Sequence, residues 1–326
     1  MSKVGTVVTH TLLILLAIIF LIPFYIMFRN SLLTNPEISS FDWVLFPKDP
    51  QWSNFAELFA DPFVPMWTGL RNSALISVST LIFQTLFACM AGYALARIPY
   101  RHRNIVFGVV LATMLVPTTA LFVPTYAVVA KLGWVNTPQG LIVPGLFSAF
   151  NTFMFRQYYL SFPPELEDAG RVDGLSYLGL FFRIALPNSW PIIMALGSLV
   201  LVNSWNAFLW PLVIGQTRDW WTVQINLSVY LTAQVLNLKL LFAGAVVGAL
   251  PMLIAFLFMQ RYIAEGFTRS GIKGLSSVPA RDRRSEVSRK LNPSGIFVLV
   301  TGHAAGRFCG GLASAGPYEA NDTGDS

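Results

Sequence analysis

Charge is scarce in this chain: only 12% of its 326 residues are Asp, Glu, Lys or Arg, against roughly a quarter in soluble domains. With 54% hydrophobic residues and a mean hydropathy of +0.58, that scarcity excludes an ordinary soluble domain and indicates an integral membrane protein. Acidic residues are missing altogether from the long apolar runs. An ion-coupled carrier keeps ionisable groups inside its spans, so the absence argues for an energy source elsewhere. The two cysteines, Cys89 and Cys309, make neither a disulfide framework nor a metal-ligand spacing. No Gly-rich loop ending in Gly-Lys-Ser/Thr, no His-Glu-x-x-His and no Gly-x-Ser-x-Gly occurs, so neither ATP hydrolysis nor zinc or serine hydrolase chemistry is expected, and no cofactor or metal is called for. The net charge of +6 sits at the ends of apolar runs. That placement fits membrane topology better than nucleic-acid binding.

Six apolar runs predict six transmembrane helices in an all-α architecture. Residues 7 to 28 are long enough to cross a hydrocarbon core, lack a cleavage site and are read as a retained anchor. His10 near its end is expected to meet an interface or a backbone carbonyl. Residues 30 to 69 read as an external loop whose Trp43, Trp52 and Trp67 anchor at headgroup depth. With the first run they form an N-terminal segment, 1–71, ahead of a core over 72–263. Further spans are expected at about 72 to 95, 105 to 128, 141 to 160, 191 to 214 and 240 to 263, with Pro117 and Pro124 kinking the third. Arg97, Arg101 and Arg103 in the loop 96 to 104, and Arg261, Arg269 and Lys273 after the last span, mark the cytoplasmic side. Both termini are therefore expected in the cytoplasm, with a cytoplasmic end segment at 264–274.

Between the fourth and fifth spans lies a charged island, ELEDAGRVDG, residues 165 to 174. Pro163 and Pro164 suit a first helical turn, and Glu165, Glu167 and Asp168 follow where negative charge complements the helix dipole. Gly174 is a C-terminal stop, Ser176 a cap for a second helix, and Pro187 its end. On its own such a unit is a solvated loop. The whole stretch, PPELEDAGRVDGLSYLGLFFRIALPNSWP, resembles the cytoplasmic loop of ABC importer permeases: Asp168, Ala169 and Gly170 fall at its acidic-small-small positions, Asp173 and Gly174 at its Asp-Gly, and Ile184 and Pro187 at its ending. The family has Glu-Ala-Ala where this chain has Asp-Ala-Gly. LLFAGAVVGALPMLIAFLFMQ and RYIAEGFTRSGIKG resemble the close of carbohydrate-uptake, maltose-type permeases, so the resemblance covers residues 1 to about 274.

The resemblance implies a type I ABC importer permease fold in a bacterial or archaeal inner membrane, with the loop 163–187 docking on an ATPase. It implies as partners a second, related permease, an ATPase dimer, an extracytoplasmic solute-binding protein and membrane lipid, with a carbohydrate as cargo. A glycerol phosphate or polyol ester is the alternative cargo, and a channel or assembly protein working without ATP the alternative class. Asn203, Trp205 and Asn206 fall where the family's fifth helix borders the translocation path, and amides with an indole suit a sugar; equally, Asn bonds neighbouring helices and Trp packs between them. Residues 220 to 228, with Trp220 and Trp221, suit either a binding-protein contact or interfacial anchoring. From Leu275 the composition shifts to Arg, Ser, Gly and Ala, predicting disorder over 275–326. Its apolar patch at 296 to 300 is too short to span. Deleting 275–326 is expected to leave membrane insertion and uptake intact; normal insertion with lost uptake would assign the tail a function.

Overall fold

Apolar runs become helices in the computed structural model of the protein, which describes residues 3–232 and 236–271, all within one unit, Met1–Gly271. The expectations for 275–326 fall outside these residues. Helix α1, Lys3–Ser31, is apolar on every side and buries none of its spanning stretch, as suits a helix facing lipid. Only its last turn packs inward. There Arg29 donates to the Val44 carbonyl (2.6 Å) and lies over the Trp43 ring, while Asn54 donates to the carbonyls of Ser31 and Leu33, both at 3.0 Å. Those bonds satisfy carbonyls that a helix end leaves unpaired.

The segment expected as an external loop holds two helices, α2 (Asn35–Ser39) and α3 (Ser53–Ala60), and is stitched to the last helix. Lys239 pairs with Glu57 at 2.6 Å, and Asn35 accepts from the Lys239 backbone at 2.9 Å. Trp43, Trp52 and Trp67 are all exposed. The 32-residue α4, Met66–Arg97, is the central post. At its start Asn72 donates to the carbonyls of Asp219 and Trp221 (2.7 and 2.9 Å), and Ser73 accepts from the Val223 backbone, which ties a distant turn to it.

The third expected span is not one kinked helix. Helices α5 (Arg103–Met114) and α6 (Thr118–Lys131) meet at 100°. Pro117, the residue before α6, is itself non-helical (ψ 130°) and has no N–H to continue the ladder, so the chain breaks there; Pro124 stays inside α6. The fourth expected span is also interrupted. It begins as α7 (Pro138–Ile142), passes through a tight turn at Val143–Gly145, and becomes α8 (Ala149–Leu160), only 12 residues long. Pro144 and Gly145 break it, and Ser148 caps the new start. Gln84 on α4 repairs part of the break, donating to the Gly145 carbonyl and accepting from Asn151.

After α8 come α9 (Pro164–Val172), α10 (Tyr177–Leu180) and α11 (Leu186–Asn188), then α12 (Trp190–Trp205), α13 (Leu209–Ile214), α14 (Val223–Val229) and α15 (Leu238–Gly271). Among the described residues three helices, α1, α4 and α15, are long and apolar enough to cross a membrane, or five crossings if each bent pair counts as one. The segment 141–160 supplies no such helix, because its helical part spans roughly 18 Å at 1.5 Å per residue. Helices α8 and α12 both pack on α4. The approach of α8 is tight at Gly92, where an added Cβ would lie 2.5 Å from Phe155 Cβ and 2.8 Å from the Arg156 nitrogen. Gly92→Ala is therefore expected to cost about 1–3 kcal/mol, the range for overpacking a tight interface. Gly108→Ala, on a glycine with nothing within 4 Å, is expected to be neutral or stabilising, and thermal unfolding of the two variants in detergent checks the contrast.

Candidate functional site

The charged island folds as expected from its caps. Pro163 and Pro164 open α9, Glu165 and Glu167 occupy its first turn, and the helix ends in a left-handed residue, Gly174, at φ +79°. The Leu175 N–H bonds the Gly170 carbonyl and the Gly174 N–H bonds that of Arg171, both at 3.0 Å, so the last carbonyls of α9 are closed by a Schellman turn. Ser176 caps α10 by accepting from the Gly179 N–H. Beyond it the chain widens to a π turn, Phe181–Ala185. Pro187 explains the widening: with no N–H and a ring that crowds the carbonyl four residues back, it cannot extend a regular ladder. The helix continues to Asn188, one residue past Pro187, before the chain bends 78° into α12.

Helix α9 has two faces. Glu167 and Gly170, three residues apart, are buried. Glu165, Asp168, Ala169, Arg171, Val172, Asp173 and Gly174 are exposed. Gly170 sits under the following turn, where a Cβ would lie 2.6 Å from both Ile184 Cδ1 and Leu180 Cδ2. Its smallness serves packing within the loop rather than approach of another backbone. Asp168 and Arg171 pair at 3.8 Å on the solvent side, a contact worth little by itself. Val172 is 88% exposed beside these charges, with Leu166 and Leu178 also open. A mixed charged and apolar patch of this kind is what a docking surface presents.

On the inner face Glu167 meets Arg97, the last residue of α4, at 3.5 Å, with side chains 3% and 17% exposed. Arg97 also donates to the Phe162 carbonyl just before α9. Burial pushes the Glu167 carboxyl above its ordinary range, while Arg97 and Arg171 pull it back. Losing one partner of a pair buried this way costs about 3–5 kcal/mol. Behind α9, the Tyr159 hydroxyl lies 3.0 Å from Cys89 Sγ and 2.9 Å from Ser189 Oγ, and Ser189 Oγ is 2.6 Å from the Ala185 carbonyl. This buried cluster fastens the bend before α12 to α4 and α8. Sequence reasoning took Arg97 only as a marker of membrane side and missed Tyr159 and Ser189; their partners are 30 to 70 residues away, and no local pattern signals such pairs.

The residues expected to line a path part company. Trp205 is buried and its indole N–H donates to the Gly248 carbonyl of α15 at 3.1 Å, a packing role. Asn203 is exposed. Asn206 is exposed at the break between α12 and α13, where its Oδ1 accepts from Gln224 at 3.2 Å. Trp220 and Trp221 are half-buried, and His10 reaches the Thr6 carbonyl at 2.7 Å. Among the described residues no cluster of His, Cys, Asp or Glu could hold a metal.

Residues 84–269 match the family model of binding-protein-dependent transport system inner membrane components. The chain is 40% identical over 221 residues to the arabinooligosaccharides transport system permease protein AraQ of Halalkalibacterium halodurans, covering 68% of this chain and 79% of that one. It is 31% identical over 274 residues to the lactose transport system permease protein LacG of Rhizobium radiobacter, covering 82% and 97%. Among solved structures, a chain of a bacterial ABC transporter involved in import of the acidic polysaccharide alginate shares the fold, with a TM-score of 0.69, 21% identity, and coverage of 80% and 98%. With more than half its length matched, the chain belongs to the family of binding-protein-dependent transport system inner membrane components.

Proposed function

We propose that this permease forms half the translocation pore of an ATP-driven sugar importer and couples to its ATPase through α9 and the turn that follows. The observation that carries the reading is the two-faced α9, held to the bundle by Glu167 and Gly170 while Asp168, Ala169, Arg171, Val172 and Asp173 stay open. The other subunits are a second, related permease, a pair of ATPase subunits in the cytoplasm and a solute-binding protein outside. Closure of the ATPase pair on ATP would carry α9 with it. The π turn and the bend at Ser189 would pass that motion to α12, and the pore would change the side to which it opens. The arginine loop, 96 to 104, supports a cytoplasmic side for α9 and for both termini.

The cargo class rests on the named sugar permeases this chain resembles. Asn203, Asn206 and Gln224 supply amides near the α12–α13 break, and amides suit sugar hydroxyls. Trp205 is assigned to packing, because its one donor is already used by Gly248.

Four substitutions test the reading in cells carrying the complete transporter, using a labelled panel of arabinose oligomers, lactose, maltose and glycerol phosphate. Gly174→Pro cannot adopt a φ of +79° and is expected to abolish uptake with the protein still in the membrane. Asp168→Lys reverses the exposed charge and should do the same; full uptake by both variants would overturn the coupling role, and uptake of glycerol phosphate alone would overturn the sugar assignment. Asn206→Ala should raise the KM for uptake at normal protein level, whereas Trp205→Phe should chiefly lower the amount of folded protein, by about 1 kcal/mol for one lost hydrogen bond.

A further inference from the structure

Glu167 shares a helix with the exposed acidic patch but does not belong to it. A docking carboxylate would be open to solvent, as Asp168 is; Glu167 is 2% exposed. A position that only packs would be apolar, because burying a carboxylate is costly unless a partner offsets it. The partner is Arg97, whose guanidinium lies 3.5 Å away at the C-terminal end of α4, where a cation also complements the helix dipole. Neither Arg97 Nε nor Glu167 Oε1 makes a hydrogen bond, so the contact is an ion pair. Tyr93, one turn earlier on α4, is buried. Arg97 in addition holds the Phe162 carbonyl at the entry to α9. One side chain thus ties the end of a 32-residue span to the chain entering α9 and to its inner face.

We propose that the Arg97–Glu167 pair is a transmission joint, passing displacement of α9 directly to α4 in parallel with the route through the π turn to α12. Glu167 is then a positioning residue for transport, not a contact for the ATPase. The inference rests on the reading that α9 docks on an ATPase subunit. It adds that the force divides between two helices, α4 and α12, which themselves pack together.

The test uses the complete transporter in proteoliposomes with its binding protein, and reads ATP hydrolysed per sugar transported alongside the amount of ATPase subunit that co-purifies. Glu167→Gln keeps the shape and removes the charge. It is expected to retain the ATPase subunit at wild-type stoichiometry and to raise the ratio of ATP to sugar about tenfold, within the range of energetic coupling between sites. The exchange Glu167→Arg with Arg97→Glu should bring the ratio back toward wild type, a rescue that loss of stability alone would not give. Should Glu167→Gln fail to accumulate, Arg97→Lys keeps the charge without the fork and should raise the ratio by a smaller factor. An unchanged ratio in the accumulating variant, or uptake and hydrolysis falling together with the amount of complex, would overturn the joint. A wild-type permease that purifies without any ATPase subunit would overturn the docking reading beneath it.

Discussion

The packing of α9 against the turn that follows it is the constraint on which the functional end of this protein depends. Gly170 lies so close under Leu180 and Ile184 that no larger residue fits without displacing both, and the left-handed Gly174 is what turns the chain back to make that contact. The inner face of the helix is thereby fixed, and the charges that follow the helical period on its other side must point outward. In the proposed coupling role, this charged surface, held at a set angle at the end of an apolar bundle, is a handle. The rest of the architecture determines where a pull on it goes.

Two routes lead from it. One runs through the π turn and the 78° bend into α12, with Ser189, Tyr159 and Cys89 pinning the bend to α4 and α8. The other is the Arg97–Glu167 pair into α4. Tyr93, Phe155, Tyr159, Phe162 and Phe181 form one buried cluster behind both, so this end is densely packed. At the far end α3, α4 and the close of α14 are gathered onto α15 through Leu58, Met66, Tyr230 and Leu240, with Lys239–Glu57 at the rim. Buried clusters at both ends, together with helices broken at Pro117, at 143–148 and at Asn206–Phe208, suit a membrane protein whose spans shift relative to one another.

Much of this was legible in the sequence. Long apolar runs give the apolar middles of α1, α4 and α15, while the helices run on by two to eight residues at their ends, because hydropathy over about 20 residues reports on the bilayer and not on where a helix stops. Pro163, Gly174 and Ser176 announce the helix, elbow and cap, because capping is local chemistry between neighbours. The interruption of 141–160 was missed, because Pro144 and Gly145 break a helix only where Gln84, some sixty residues earlier, can serve the freed backbone. The burial of Glu167 was missed for a related reason: an acidic residue in a first turn reads as solvated until a distant arginine is brought to it. For Trp205 the sequence leaves a path contact and a packing role open, and the hydrogen bond to the Gly248 carbonyl favours packing.

The central claim is that the open face of α9 is where an ATPase subunit sits. Its most direct test is cross-linking within the assembled transporter, using a photoreactive residue in place of Val172, which is 88% exposed, and a second in place of Ile184, which lies beneath Gly170. An adduct with the ATPase subunit is expected from position 172 and none from 184. Equal labelling from both, or none from 172 while the subunit remains bound, would contradict it.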